Sequence, residues 1–492
     1  MRHLSHFLLS GNGAVGRFAG RTGSPDGKFH IRGRNMTYDV VVIGGGSAGY
    51  AAARVAADSG ARVAIIDRGP LGGLCILRGC MPSKTLLRSS DLFSLMKRAR
   101  EFGLNAGDLS PDLAAVNDRK RALVDEFAKY RVQQLRSPRF TLIPGQARFE
   151  SPNSVCVGTE QVSGRRFVIA VGSAVSRIPV PGLEETGYLT SDDVLELREL
   201  PESVIVLGGG AVAAELGQFL CRMGARTTLI QRNRQLLSGF DADMALPVET
   251  RLREEGMKVY TDTRLQRVSR RGGHATVRFL QGKKSRTVTA DVVFNALGRT
   301  PDLAGLALER AGVEVREGRI TADERMRTSA GHIFAAGDCV GPYEIVHIAV
   351  LQGEIAGHNA GGGKPEKTID YRLRTSVVFT DPQVASVGPT ERECREQRIA
   401  YRSAEYPFSD HGKSMVMGET HGAVKILCHP ESGELIAGHI TGPDASELIH
   451  ELAAVIYFRG TVFDLLRIPH YHPTLAEIIT YPAEELAEVL AG

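Results

Sequence analysis

From residue 38 onward the apolar positions repeat one local rhythm twice. Val40, Val41, Val42 and Ile43 form an unbroken β-branched run, the pattern of a strand buried on both faces. Gly44, Gly46 and Gly49 follow at G-x-G-x-x-G spacing. An alanine-rich stretch over 51–57 then predicts a helix, and 62–66 a second strand ending at Asp67. The same order returns downstream. Ser203–Leu207 predicts a strand, Gly208, Gly209 and Gly210 a turn with Ala213 in the third glycine's place, and a helix runs on to Met223. Arg226–Ile230 predicts the next strand, and Gln231 occupies the place Asp67 holds in the first unit. Beyond residue 370 the rhythm changes to strands over 377–387, 423–428 and 435–441, with helices over 445–458 and after Pro473.

This grammar carries chemistry. A glycine turn between a buried strand and a helix brings backbone N–H groups and the helix N-terminus against a pyrophosphate, and an acid about 20 residues on accepts from a ribose hydroxyl. Asp67 stands 21 residues beyond Gly46. One such triplet alone is weak evidence, but both triplets here have the full strand–turn–helix–strand context. The alternative is one site plus a chance glycine turn. At the second site the acid is missing: Gln231 is followed by Arg232 and Arg234. An acid suits the free 2′-hydroxyl of NAD and a nearby arginine the 2′-phosphate of NADP, so NADPH is expected over NADH.

Between the two units lies Gly72-Gly73-Leu74-Cys75-Ile76-Leu77-Arg78-Gly79-Cys80-Met81-Pro82-Ser83-Lys84. A disulfide needs Cα atoms about 4.4–6.8 Å apart, and five residues of regular helix rise about 7.5 Å. Cys75 is therefore expected in the Gly72–Gly73 turn or a distorted first turn, leading into a helix that continues through Leu86 and Leu87. Thiols there feel the positive end of a helix dipole, which favours thiolate. The residues leave three readings open: a redox disulfide, a structural metal pair, or two inert core thiols. The metal reading wants two further ligands at close spacing, and none is nearby, so no metal is expected.

With these motifs in view, the chain from Tyr38 onward resembles the FAD-dependent pyridine nucleotide–disulfide oxidoreductases, the family of dihydrolipoamide dehydrogenase, glutathione reductase and mercuric reductase. The resemblance rests on G-G-x-C-x-x-x-G-C-x-P at residues 72–82, AAGDCVGP at 335–342 and HPTLAE at 472–477. It implies an α/β fold with two Rossmann-like dinucleotide-binding domains, one for FAD and one for NAD(P), and a C-terminal α+β dimerisation domain. The expected boundaries are 36–185 with 297–368 for FAD, 186–296 for NAD(P), and 369–492 for the interface. Segments 169–174 and 295–302, the latter containing Gly298, resemble the strands at the domain crossings.

By the same resemblance Cys75 is the interchange thiol and Cys80 the flavin-side thiolate. Lys84 matches the lysine near the flavin, Glu215 its ion-pair partner, and Asp338 the acid that binds the ribitol chain. His472 matches the catalytic base, with Glu477 fixing its tautomer. Read alone, a His-x-His is equally a surface pair or a set of metal ligands. In the family this base serves the partner subunit's disulfide, so a homodimer is implied, with one FAD per subunit. The chain departs from the family at Leu74, Leu77 and Arg78. Ala211 stands where glutathione reductase has a tyrosine, which favours the dihydrolipoamide-dehydrogenase and mercuric-reductase branches. No cysteine pair follows Cys428, which disfavours mercury handling. The leading expectation is a dihydrolipoamide-dehydrogenase-like enzyme acting on a small disulfide or on a lipoyl group carried by a separate protein. A mercuric- or other disulfide-reductase relative comes next, and a non-catalytic flavin-binding interaction subunit last.

Composition adds boundaries. Seven cysteines in 492 residues are too sparse for a disulfide-stapled scaffold, and the odd number leaves at least one thiol unpaired within the chain. The net charge of +4 is uneven. Residues 1–36 hold six basic side chains against one acid, or +5, so the other 456 carry −1. The body therefore has no bulk-charge signal for nucleic acid. No apolar run approaches the roughly 18 residues that span a bilayer, and the glycine-rich start lacks a signal-peptide core. Residues 1–35 read as a disordered tail or a non-native extension ahead of Met36, and a cytoplasmic location without membrane partners is expected.

Overall fold

Three large sheets and three smaller ones organise residues 37–492, the part of the chain that the computed structural model describes; the expected extension over 1–35 lies outside it. In the first sheet the parallel strands run in the order Phe140–Pro144, Val63–Asp67, Thr37–Ile43, Glu160–Ile169. Ile333–Ala335 returns from far along the chain to pair in parallel with Glu160–Ile169. Registers align Ile43 with Ile66 and Ile169, and Ile169 with Ala335. Gly44, Asp67 and Asp338 therefore emerge together at the carboxyl ends of the strands, where open α/β sheets bind ligands.

The second sheet repeats the plan with Lys258–Tyr260, Arg226–Ile230, Ser203–Leu207 and Val292–Asn295, all parallel. Leu207 aligns with Ile230 and Asn295, so Gly208 and Gln231 share its carboxyl edge. An antiparallel three-stranded sheet, Thr263–Arg271, His274–Gln281 and Lys284–Ala290, packs beside it. The expected crossing segments form a two-stranded ribbon, Ser173–Val175 against Arg299–Pro301. The C-terminal sheet is antiparallel and five-stranded, in the order Thr375–Val378, Gln383–Val387, Leu435–Gly442, Ala423–Cys428, Arg402–Pro407. Helices Ala445–Tyr457 and Thr480–Ala491 pack on it. Among the described residues no helix is long and apolar enough to cross a membrane.

The run over 377–387 is two strands and not one. Its middle leaves the ladder because its backbone groups have other partners. Phe379 N–H donates to Glu215 and Asp381 N–H to Gln218, both at 2.8 Å. Pro382 has no N–H to give.

Helix Ala211–Met223 thereby becomes a hub. Its Arg222, 4% exposed, pairs with Asp91 of helix Cys80–Lys97 at 2.7 Å, with Glu255 at 2.6 Å and with Asp381. Removing one partner of a buried ionic pair costs roughly 3–5 kcal/mol; here Asp91 loses its guanidinium, while Glu255 and Asp381 keep Arg251 at 3.1 and 3.7 Å. Asp91 and Asp381 partly reach solvent, so Arg222→Leu is expected to destabilise the fold by about 3 kcal/mol, the low end of that range. Urea unfolding monitored by circular dichroism measures it; a loss below about 1 kcal/mol, the level of an exposed pair, would contradict this account of the hub.

Candidate active site

Both glycine turns are built alike. Gly44 and Gly208 have φ of +102° and +118°, the left-handed region that disfavours other residues. A Cβ on either would lie 2.3 Å from a crossing-strand carbonyl, of Ala170 or Ala296. By contrast a Cβ at Gly46 would meet only the Gly73 Cα at 3.9 Å, and one at Gly210 nothing within 4 Å. The N-termini of helices Ser47–Asp58, which contains Gly49, and Ala211–Met223 are thus open cradles that fit a pyrophosphate.

The second-strand residues differ. Asp67 accepts from Gly45 N–H and Gly69 N–H at 2.6 Å each. Gln231 folds under its own loop, accepting from Arg232 N–H at 2.9 Å and donating to the Gln235 carbonyl at 3.3 Å. Arg232 and Arg234 are exposed, and neither pairs with a carboxylate among the described residues. Asp338 accepts from the Ser173 hydroxyl at 2.6 Å, and Arg299 donates to the same oxygen of Ser173 at 2.8 Å. That ties the acid to the crossing ribbon, where Gly298 turns with φ +119°.

The cysteines occupy two helices, not the start of one. Leu74–Arg78 is a single short turn, Gly79 breaks it, and Cys80–Lys97 follows. A Cβ at residue 79 would lie 3.0 Å from the Leu74 carbonyl oxygen and 3.1 Å from the Cys75 Cα, so glycine permits the fold-back that brings the thiols into hydrogen-bonding contact. The expectation that both thiols are acidified holds for one. Cys80 falls to about 7, first through the hydrogen bond from Cys75 and then through the Lys84 charge, against the cost of burial. Cys75 moves far upward, because its S–H donates to Cys80 and because it is buried. The pair is polarised: Cys80 ionises near neutrality while Cys75 keeps its proton.

Lys84 pairs with Glu215 at 2.8 Å and lies 4.7 Å from the centre of the Phe379 ring. Of the departures from the family pattern, Leu77 packs on Gly72 and Arg78 reaches Asp192 at 3.2 Å. Arg131, which sequence reasoning missed, stands over the Tyr50 ring at 4.4 Å and within electrostatic reach of Cys75. Its Nε and Nη1 are buried without a hydrogen-bond partner among the described residues. On a long polar helix nothing marked it out.

The expected base is an exposed imidazole on a buried anchor. His472 leaves 78% of its side chain exposed, and its Nδ1 lies 2.9 Å from Glu477 Oε2. Since a carboxylate only accepts, Nδ1 carries the proton and Nε2 is the free acceptor. The second Glu477 oxygen lies 3.2 Å from Nε2 of His411, a fully buried residue with no local sequence signal.

Two nucleotide cradles, a polarised thiol pair and a tautomer-fixed imidazole define a dithiol oxidoreductase class. Residues 38–353 match the family described as pyridine nucleotide-disulphide oxidoreductase, and 375–483 match its dimerisation domain. A dihydrolipoyl dehydrogenase from Bacillus subtilis is 33% identical over 446 residues, spanning 89% of this chain and 96% of the relative. A mercuric reductase from Staphylococcus aureus is 32% identical over 446 residues, spanning 90% and 81%. Among solved structures, LpdA from Mycobacterium tuberculosis matches with a TM-score of 0.82 at 30% identity, covering 92% of this chain and 100% of that one. A Cu(II) complex of the HOCl-induced flavoprotein disulfide reductase RclA from Escherichia coli matches at 0.81 and 26%, covering 92% and 99%. The chain belongs to the pyridine nucleotide-disulphide oxidoreductase family. It is an enzyme of this kind, a flavoprotein disulfide oxidoreductase, and the family binds FAD and a pyridine nucleotide.

The polarised pair makes a direct prediction. With the pair reduced, one thiol is expected to ionise near pH 7, visible as a rise in thiolate ultraviolet absorbance. Lys84→Met removes a cation that favours the thiolate, so the step moves toward higher pH. A step unmoved by that substitution would contradict the assigned electrostatics.

Proposed function

We propose that this chain is a dihydrolipoamide-dehydrogenase-like oxidoreductase, NADPH-linked and cytoplasmic. It works as a homodimer on a small disulfide or on a lipoyl group carried by a separate protein. The polarised Cys75–Cys80 pair carries this reading, with Lys84–Glu215 behind it and the His472–Glu477 dyad on the C-terminal domain. Residues 36–185 with 297–368 are assigned to FAD, 186–296 to NAD(P), and 369–492 to the interface.

Bound FAD supplies the two-electron relay between nicotinamide and the sulfur pair. Gly44, Gly46, Gly49 and Asp67 would hold its dinucleotide, Asp338 its ribitol chain, and Lys84 would lie near its ring system. Gly208, Gly210, Gly298, Gln231, Arg232 and Arg234 take the nicotinamide nucleotide. The thiol chemistry follows from the polarisation. Cys75 holds its proton, so it needs a base before it can attack, and His472 Nε2 of the partner subunit receives that proton. The Cys75 sulfur bonds to one substrate sulfur; the other leaves as a thiolate and takes the proton back. Cys80 thiolate then attacks Cys75, closing the Cys75–Cys80 disulfide and expelling the second substrate sulfur as thiolate. One thiol and one thiolate are formed for the disulfide consumed, and the thiolate takes its proton from solvent. The same steps in reverse oxidise a dithiol.

A metal acceptor is the second reading, favoured by the mercuric reductase among the relatives. Against it, Cys339, Cys394 and Cys428 are buried, and burial pushes their ionisation upward, to about 12 for Cys339 and about 11 for Cys394. They offer no accessible thiolate to hand on a metal.

Steady-state assays with lipoamide, oxidised glutathione and Hg²⁺, each with NADPH and NADH, test the proposal. Lipoamide with NADPH is expected to give the highest kcat/KM, and a preference for Hg²⁺ would favour the second reading. Gln231→Glu is expected to shift the preference toward NADH, since the carboxylate repels a 2′-phosphate and accepts from a ribose hydroxyl. Equal or better NADH use by the unmodified protein would overturn the NADPH assignment.

A further inference from the structure

Glu477 is held from two sides. His472 Nδ1 lies 2.9 Å from one carboxylate oxygen and His411 Nε2 lies 3.2 Å from the other. His411 is wholly buried and Nδ1 of its ring lies 2.8 Å from the hydroxyl of Ser414, which is also buried. The carboxylate can only accept, so His411 Nε2 donates to it, and Glu477 thereby orients the N–H of both rings. The Ser414 hydroxyl, which can donate or accept, holds Nδ1 from the other side. The surroundings keep the ring in place: Phe408 and Tyr481 meet it edge-on, with centroids 6.4 and 6.2 Å away. Tyr481 is itself stacked on Tyr406, whose hydroxyl donates to Asp410. The titratable groups that contact the His411 ring include Glu477 and Tyr481, and Asp410 and Lys413 lie one and two residues away in the chain.

We propose that His411, oriented by Ser414, is a positioning residue for disulfide exchange, holding Glu477 so that the exposed His472 ring keeps its free Nε2 aimed outward. The need is physical. A ring exposed over most of its surface has few packing contacts to hold it, so its orientation is set by its one anchor. That anchor is rigid only if both carboxylate oxygens are engaged. Without His411, Glu477 keeps a single partner and can rotate or take up water, and the His472 ring follows it. His411 touches neither substrate nor cofactor and moves no proton in turnover. The inference rests on the reading of His472 as the base.

The test uses the flavin-loaded enzyme and the disulfide substrate that gives the highest turnover. His411→Phe keeps the ring's shape and removes its donor. Its kcat for disulfide turnover is expected to fall about 10–100-fold, short of the roughly 10²–10⁴-fold loss expected for the base itself, with KM changed less than about threefold. The rate of flavin reduction by nicotinamide, followed by stopped flow, serves as the internal reference and stays within about twofold. His411→Gln, whose amide can donate to Glu477, restores most of the loss. In a Glu477→Gln background, His411→Phe adds less than about twofold, because both act through one anchor. A loss that adds undiminished to Glu477→Gln would overturn the proposal, as would equal loss of flavin reduction or no rescue by glutamine. His472→Ala separates the two levels. If it leaves disulfide turnover intact, the reading of the base fails and this inference with it; if it abolishes turnover while His411→Phe does not lower it, only this inference fails.

Discussion

The arrangement depends on one polar stripe along helix Ala211–Met223. Glu215, Gln218 and Arg222 recur at three- and four-residue spacing, so they share a face, and all three are buried. That face is a junction. Glu215 takes Lys84 from the redox helix on one oxygen and Phe379 N–H from the C-terminal sheet on the other. Gln218 makes two hydrogen bonds to the backbone of Asp381. Arg222 gathers Asp91, Glu255 and Asp381. Buried polar groups without partners are costly, so the stripe specifies one docking of three surfaces: the redox helix, the second nucleotide unit and the loop that opens the C-terminal sheet.

The chemistry inherits its electrostatics from that junction. Lys84 is placed by Glu215, and its charge helps hold Cys80 as a thiolate beside a protonated Cys75. A pair polarised this way divides the work. The acidified sulfur needs no base, whereas the other does, and His472 of the C-terminal domain is the base proposed for it. His472 leaves most of its side chain exposed while its anchor is buried, which supports the proposal that it serves a sulfur pair outside its own chain.

Much of this was legible in the sequence, for identifiable reasons. Strands Ser203–Leu207, Arg226–Ile230 and Ala423–Cys428 have the expected bounds, because short runs rich in apolar and β-branched residues read as strands. The Lys84–Glu215 and His472–Glu477 pairs followed from resemblance to a family, and geometry brings each together. What was missed depends on tertiary partners. The 377–387 run breaks because Glu215 and Gln218, more than 160 residues earlier, take its N–H groups. Cys75 moved opposite to the helix-dipole expectation because a neighbouring thiolate and burial outweigh the dipole. His411 and Arg131 carry no local signal: each matters through what the fold sets against it.

The central claim is that the sulfur pair and the base act across two subunits. Subunit exchange between inactive Cys75→Ser and His472→Ala chains tests it most directly. Each hybrid would hold one site lacking both groups and one site intact. The account predicts that activity returns, to about half that of an unmodified dimer per hybrid formed. If hybrids demonstrably form and no activity returns, the base serves its own chain or His472 is not the base.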